Sequence, residues 1–279
     1  MRGVAAVVLM AVAGFGSAAP VLVVVPVRVE TGLFRIDRPA RQGGMVLGTV
    51  PVGTVRLVKD GADIAFAHDG RFLIAFGRDH ATVAILSATL GDGRTVTERL
   101  AVAPRAWRIE SLPTLPHHSQ PDAEFEARRP AELAQIDAAR RVTSDSQGWR
   151  QAFIWPARGR ISGVFGSQRI YAGQPGAPHN GVDVAGAVGT PVIAPADGVV
   201  ILAAASPFTL EGNLLMIDHG LALNSAFLHL SRIDVKVGDH VRQGQTIGGI
   251  GQTGRATGPH LHWGLKWHDE RIDPQDVVK

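Results

Sequence analysis

A chain of 279 residues is long enough for two ordinary domains, each with its own core. Hydrophobic residues at 45% and charged residues at 19% describe a folded protein, and 33 glycines with 17 prolines favour turns and short strands over long helices. A formal charge of +3 without any Lys/Arg run, and few Trp or Tyr side chains (5 and 1), argue against a nucleic-acid partner; the absence of cysteine excludes a disulfide framework and a lipid-modified N-terminal Cys.

Met1-Arg2 is a short positive start, Gly3 to Phe15 is apolar, and Gly16-Ser17-Ala18-Ala19 supplies small residues. That is the layout of a secretory signal over residues 1–19, cut after Ala18 or Ala19. The rival reading is an uncleaved anchor, because apolar character continues through "VLVVVPVRV". Pro20 and Pro26 interrupt that run, so Val21 to Val29 is expected as the first strand of an exported, periplasmic protein.

Residues 20–104 read as an N-terminal β domain. Short runs of Val, Leu, Ile and Phe are broken at Gly53, Asp60-Gly61, Asp69-Gly70 and Gly91-Asp92-Gly93. Asp-Gly between such runs signals a hairpin, and strands about every ten residues suggest a small sandwich or barrel. From Pro104 to Pro121 prolines recur and the pattern fades, as in a linker, here taken as residues 105–150. Within it "PAELAQIDAARRV" predicts a helix over 130–142, with proline first, Glu132 in the first turn and Arg140-Arg141 in the last. A second β-rich unit is expected over 151–279, so the whole is mainly β with one linker helix.

Four histidines in that unit stand out. In "PHNGVDVAG", His179 and Asp183 lie four apart, on one face of a strand, and are a sensible ligand pair for zinc, although a His near an Asp is commonly an ordinary surface feature. In "SAFLHLSR", His229 sits between apolar neighbours and reads by itself as a core histidine. In "TGPHLHWGL", His260 and His262 share a strand face; they supply two ligands to one metal, or one ligand beside a proton carrier. His219 in "MIDHGL" is a rival that caps a turn in the plainer reading, and His117-His118 read as a solvated linker pair over a reach to the metal.

"HNGVD", "FLHLS" and "GQTGRATGPHLHWGL", in this order and with these separations, resemble the LytM-type zinc peptidases of the M23 (lysostaphin-like) family. "GTPVIAPADGVV" and "VGDHVRQGQTIGGIGQTG" are similar to that family's strands and tight turns, and the likeness covers about residues 153–276. The resemblance implies a compact, mostly antiparallel sheet with a metal at the floor of a groove. It assigns His179, Asp183 and His262 as zinc ligands and His229 and His260 as catalytic histidines. Two positions depart from the family: Phe227 where Tyr is frequent, and Trp263 where Phe or Tyr is common.

The chemistry agrees with that assignment. Three protein ligands leave a tetrahedral zinc one position open for water, the mark of a catalytic site. No His-Glu-x-x-His is present, so histidine is the available proton acceptor, with His260 as general base and His229 as oxyanion stabiliser or proton donor. The resemblance implies an exported zinc endopeptidase acting on peptide cross-links of the bacterial cell wall, with peptidoglycan stem peptides as substrate. The alternatives are a LytM-like regulator that activates other wall hydrolases, and a zinc-dependent wall-binding module without turnover; the presence of all five positions favours catalysis. The N-terminal unit is expected to bind wall polymer or an envelope protein, or to cover the groove, in which case a fragment starting near Gln151 is the more active form. Nothing in the sequence speaks to oligomeric state.

Overall fold

The computed structural model describes residues 33–114 and 123–278. The signal, the strand expected at Val21 to Val29, and His117-His118 lie outside those residues.

Two small sheets form the first unit. Arg35–Ile36, Met45–Thr49 and Arg71–Ala75 make one; Ala40–Arg41, Thr95–Ala103, Val83–Leu90, Thr54–Lys59 and Ala62–Ile64 make the other. The expected hairpin at Asp60-Gly61 is present, with both residues at positive φ (49° and 88°), as a two-residue turn between right-twisted strands demands. Along Val83–Leu90 alternate residues are buried, and Phe72 to Phe76 is buried throughout.

The stretch expected as a linker is ordered where it leaves this unit. Ile109–Leu112 pairs in parallel with Gln168–Tyr171 of the second unit. Trp107 packs edge-on against Phe165 at 5.7 Å between centroids, with the Arg105 guanidinium 4.6 Å over its ring. Arg105 bridges Asp273 at 2.9 Å, Arg150 bridges Asp69 at 2.8 Å, and the Gly77 N–H donates to Glu270 at 2.8 Å. One buried cluster runs from Met45 and Phe76 through Phe153 and Trp263 to Val277. The units therefore share a core, which pattern within either segment does not reveal.

The helix spans Ala123–Arg140 and contains Pro130 in its interior, so it begins seven residues before the proline expected to start it. Pro130 lacks an N–H and leaves the Glu126 carbonyl without its helical partner; both residues are exposed, so water takes that bond. The early turns are laced by Arg128 to Glu124 (3.3 Å) and Arg129 to Glu132 (3.4 Å). Glu132, Ile136 and Ala139 make the buried face, the last two packing against Leu202, Phe208, Leu214 and Met216.

The second unit takes hold of the chain before residue 151. The Ser144 N–H and hydroxyl donate to Asp218 (2.9 and 2.6 Å), the Trp149 N–H donates to the His219 carbonyl (2.9 Å), and the Trp149 side chain is 1% exposed. Its eight-stranded sheet runs Arg160–Gly163, Val182–Ala185, His260–Trp267, Leu223–Leu230, Asn213–Asp218, Gly198–Ala203, His240–Val241, with Glu270–Ile272 continuing beside His260–Trp267. The central strand alternates: Leu261, Trp263, Leu265 and Trp267 enter the shared core, while His260, His262, Gly264 and Lys266 face the other way. Phe227 and Trp263, the two departures from the family, are both fully buried in that core.

His219 belongs to the core. Its Nδ1–H donates to the Asp197 carbonyl (2.8 Å), and its Nε2 accepts from the Ser225 hydroxyl (2.7 Å), which in turn accepts from the Trp263 indole (3.3 Å). Burial, opposed by the Asp197 carbonyl, pushes its pKa down to about 4.

Two measurements follow from this packing. Trp149→Ala is expected to cost about 3–5 kcal/mol in urea unfolding, as for other buried tryptophans; a loss under 1 kcal/mol would show that the segment before Gln151 is dispensable. A fragment starting at Gln151 lacks the same anchor and is expected to be destabilised. Below pH 6.5 the unfolded chain takes up a proton that the folded His219 refuses. Stability therefore falls as pH drops from about 6.5 towards about 4, by roughly 3 kcal/mol from this group. The His219→Gln stability curve should be flatter over that range, so that the native-minus-variant difference shrinks as pH falls; parallel curves contradict the assignment.

Candidate metal centre

Strand register builds the site. In the antiparallel pair of Val182–Ala185 with His260–Trp267, Asp183 stands directly opposite His262. On the far side Leu228 is opposite His262. His179 precedes the Val182 strand, where the Gly166 N–H bonds its carbonyl (2.8 Å) and its own N–H bonds the Ser167 carbonyl (2.8 Å).

The side chains converge. His179 Nε2 lies 3.1 Å from Asp183 Oδ1 and 3.1 Å from His262 Nδ1, which is 2.9 Å from the same Asp183 oxygen. All three donor atoms lie within 4.8 Å of one another. Ligands about 2.0–2.2 Å from a tetrahedral ion sit roughly 3.3–3.6 Å apart, so only a small expansion separates this cluster from zinc coordination edges. His179 has its other nitrogen occupied: Nδ1–H donates to the Val164 carbonyl (3.1 Å), leaving the Nε2 lone pair aimed at the cluster. The residues present fit a divalent ion with nitrogen and oxygen preference.

Two glycines make room. A Cβ on Gly163 would stand 2.3 Å from Asp183 Oδ2, and one on Gly181 would stand 2.7 Å from His262 Nε2 and 2.5 Å from the Trp263 carbonyl. Neither role can be read without knowing which strands meet.

His229 and His260 flank the cluster. His260 donates through Nδ1–H to the Gly258 carbonyl (2.8 Å), and its Nε2 is 3.8 Å from Asp183 Oδ1. His229 donates through Nδ1–H to the Thr253 carbonyl (2.9 Å); its ring is 4.8 Å from that of His260 and 6.3 Å from that of His262. Strict alternation would turn His229 into the core, since Leu228 pairs with His262 on the site face. The backbone at His229 takes a left-handed φ of 64°, which breaks the alternation and brings the ring to the site. Such strain in a non-glycine residue persists only where the surrounding structure holds it, here the Thr253 carbonyl bond to the ring and the His229 N–H bond to the Glu211 carbonyl.

The electrostatics follow from crowding. Burial would raise the Asp183 carboxyl, but hydrogen bonds from His179 and His262 hold it far below the carboxylate range. Burial opposes charge on His179, and the Asp183 contact outweighs it, raising that group. His262 is lowered by burial against the pull of Asp183. His229 is lowered to about 4, first by burial and further by repulsion from His260 and His262.

The helix is the element that sequence reasoning missed at this site. Its Arg129, Leu133, Ile136 and Arg140 face Leu214, Met216, Ala226, Leu228 and His262 of the sheet across a cavity of about 120 Å³. Among the described residues none of the first unit lines that cavity, whose wall opposite the sheet is the helix. The signal available was the Ile136/Ala139 spacing, which shows a buried face without saying what it meets.

Residues 177–274 match the model of Peptidase family M23. Over 116 residues the chain is 46% identical to Peptidoglycan DD-endopeptidase ShyA of Vibrio cholerae, a match covering 41% of this chain and 26% of that protein. Over 100 residues it is 39% identical to DD-carboxypeptidase/endopeptidase Mpg of Neisseria meningitidis, covering 36% and 23%. The match thus spans about a quarter of the length of these relatives. A crystal structure described as an M23 peptidase from Pseudomonas aeruginosa superposes with a TM-score of 0.65 at 28% identity, over 87% of this chain and 96% of that one. It is thus the second β unit, over residues 177–274, that matches peptidase family M23.

Proposed function

We propose that the chain is an exported zinc metalloendopeptidase that hydrolyses peptide cross-links of peptidoglycan. The observation that carries this reading is the convergence of His179, Asp183 and His262 within 4.8 Å, flanked by two histidines whose outer nitrogens are each tied to a backbone carbonyl. The family match supports peptide-bond hydrolysis. The relatives named as peptidoglycan endopeptidases support the substrate. Export rests on the leader-like residues 1–19 and agrees with where that substrate lies.

His179 Nε2, Asp183 Oδ1 and His262 Nδ1 would hold the zinc. The ion supplies Lewis-acid polarisation of a carbonyl and a bound water acidic near neutral pH. His260, its Nδ1–H fixed on Gly258, presents Nε2 as a proton acceptor beside the Asp183 carboxylate. His229, fixed likewise on Thr253, is kept neutral by its burial, so its Nε2 faces the site unprotonated and can act as a donor only after receiving a proton, for which the neighbouring His260 ring, 4.8 Å away between centroids, is the source at hand. The proton taken up at His260 Nε2 is the one returned to the leaving amine, directly or by way of His229 Nε2, so that making the nucleophile and releasing the amine balance.

Purified sacculi incubated with the full chain should yield new peptide ends by mass spectrometry, and a zinc chelator should abolish them. No new ends from zinc-loaded protein would favour the regulator or binding-module reading. His229→Ala and His260→Ala are each expected to lower kcat by about 10²–10⁴-fold while leaving zinc content unchanged. His262→Ala should lose zinc and activity together. Full activity of His229→Ala would remove that residue from the mechanism.

A further inference from the structure

The cavity between helix and sheet has a charge pattern that the hydrolytic chemistry does not use. Four cations line it, Arg129, Arg140, Lys266 and Arg271, against one acid, Glu211. Glu211 is already taken by Arg129 in a bidentate pair of 2.6 and 2.8 Å. Lys266 reaches only the fully exposed Asp269, at 3.1 Å. Arg140 and Arg271 make no ion pair within 4.0 Å among the described residues, and the Arg140 Nε is buried without a hydrogen-bond partner. Burial, then repulsion from Arg271, lowers the Arg140 guanidinium; Arg271, although exposed on one side, is lowered by partial desolvation. Guanidinium does not shed its proton in a protein, so this is standing positive charge. An unpaired buried donor of this kind is costly unless something arrives to satisfy it.

Register gives the position. Lys266 lies four residues beyond His262 on the same strand and face, about 13 Å away, with Gly264 between them offering no side chain. Arg271 stands directly opposite Lys266 in the next strand, and Arg140 closes the last turn of the helix above. The floor beside this path is apolar: Leu214, Met216, Ala226 and Leu228. A planar anion on an aliphatic stem matches both the fork of an arginine and that floor. The cavity, about 120 Å³, has room for a carboxylate and a few methylenes.

We propose that Arg140, Lys266 and Arg271 form a carboxylate subsite that selects peptides bearing a free carboxylate about 10–13 Å from the bond cleaved. This rests on the peptidase reading, with the peptide lying along the His262 strand over Gly264. The carboxylate is either the peptide's terminal group or a side-chain group, and selective amidation tells them apart.

The test uses the full chain with three synthetic peptides, identical except that the carboxylates are free, amidated at the terminus, or amidated on the side chain. Cleavage is followed by chromatography, and binding is measured separately by calorimetry on the chelator-treated protein. One amidation should raise KM about tenfold with kcat within twofold and weaken Kd in parallel; which one identifies the carboxylate. Arg271→Gln should reproduce that loss for the free peptide and leave the amidated one unchanged, while Arg271→Lys should restore part of it. Lys266→Gln, on the same exposed strand end, should act in the same direction. Equal KM and Kd for all three peptides, or an Arg271→Gln loss that is the same for free and amidated forms, overturns the subsite. If no peptide is cleaved, the peptidase reading fails; a calorimetric preference for the free carboxylate that Arg271→Gln abolishes would still uphold the subsite, and its absence would overturn it.

Discussion

The register between two strands is the constraint on which the site depends. Asp183 is opposite His262 because Val182–Ala185 pairs with His260–Trp267 in one of two possible phases. A slip of one residue would turn His260 and His262 into the core and bring Leu261 and Trp263 out. The aromatic and aliphatic side of the strand therefore holds the histidine side in place. Trp263 packs on Trp155 at 6.1 Å and hydrogen-bonds Ser225, so shifting it would break the shared core as well as the cluster. The core residues next to the ligands thus specify geometry as well as stability.

A second layer fixes ring orientation. The carbonyls of Val164, Gly258 and Thr253 each hold one nitrogen of His179, His260 and His229. These acceptors are backbone atoms of two loops, Val164 after Arg160–Gly163 and both Thr253 and Gly258 before His260–Trp267, so loop conformation sets which nitrogen faces the cluster. The strained turn at His229 is the clearest case. Its φ of 64° costs folding energy and serves only to move one ring across the sheet.

Much of the site was legible because its residues sit in short local motifs. Strand alternation puts His260 with His262, but His179 lies before the Val182–Ala185 strand, so its contact with Asp183 comes from the turn that folds it back and not from the strand spacing expected for the pair. His229 was the opposite case, since alternation alone assigns it to the core and only resemblance carried it to the site. The Asp-Gly hairpins of the first unit were legible for the same local reason. What stayed hidden depends on packing between distant segments: the helix extending back through Pro130 to Ala123, the strand at Ile109–Leu112 docking on Gln168–Tyr171, and the shared core. Proline preference at helix starts is a local statistic, and exposure of the Glu126 carbonyl decided against it.

The two faces of the sheet divide the labour in a way that explains where the helix sits. The core face is closed by the first unit and by the Trp149 segment, leaving the site face with an apolar strip at Leu214, Met216, Ala226 and Leu228. An uncovered strip of that kind beside a polar cluster would be an adhesive surface. Ile136 and Ala139 cover part of it, and the Arg129–Glu211 and Glu132–Thr209 contacts fasten the helix at that end. The helix stops short of sealing the strip, and what it leaves open is the cavity that leads from His262 towards Arg140 and Arg271. Covering the apolar floor and lining the approach to the cluster are thus one packing solution, and it places unpaired positive charge on the far side of the cavity from an anionic ligand set.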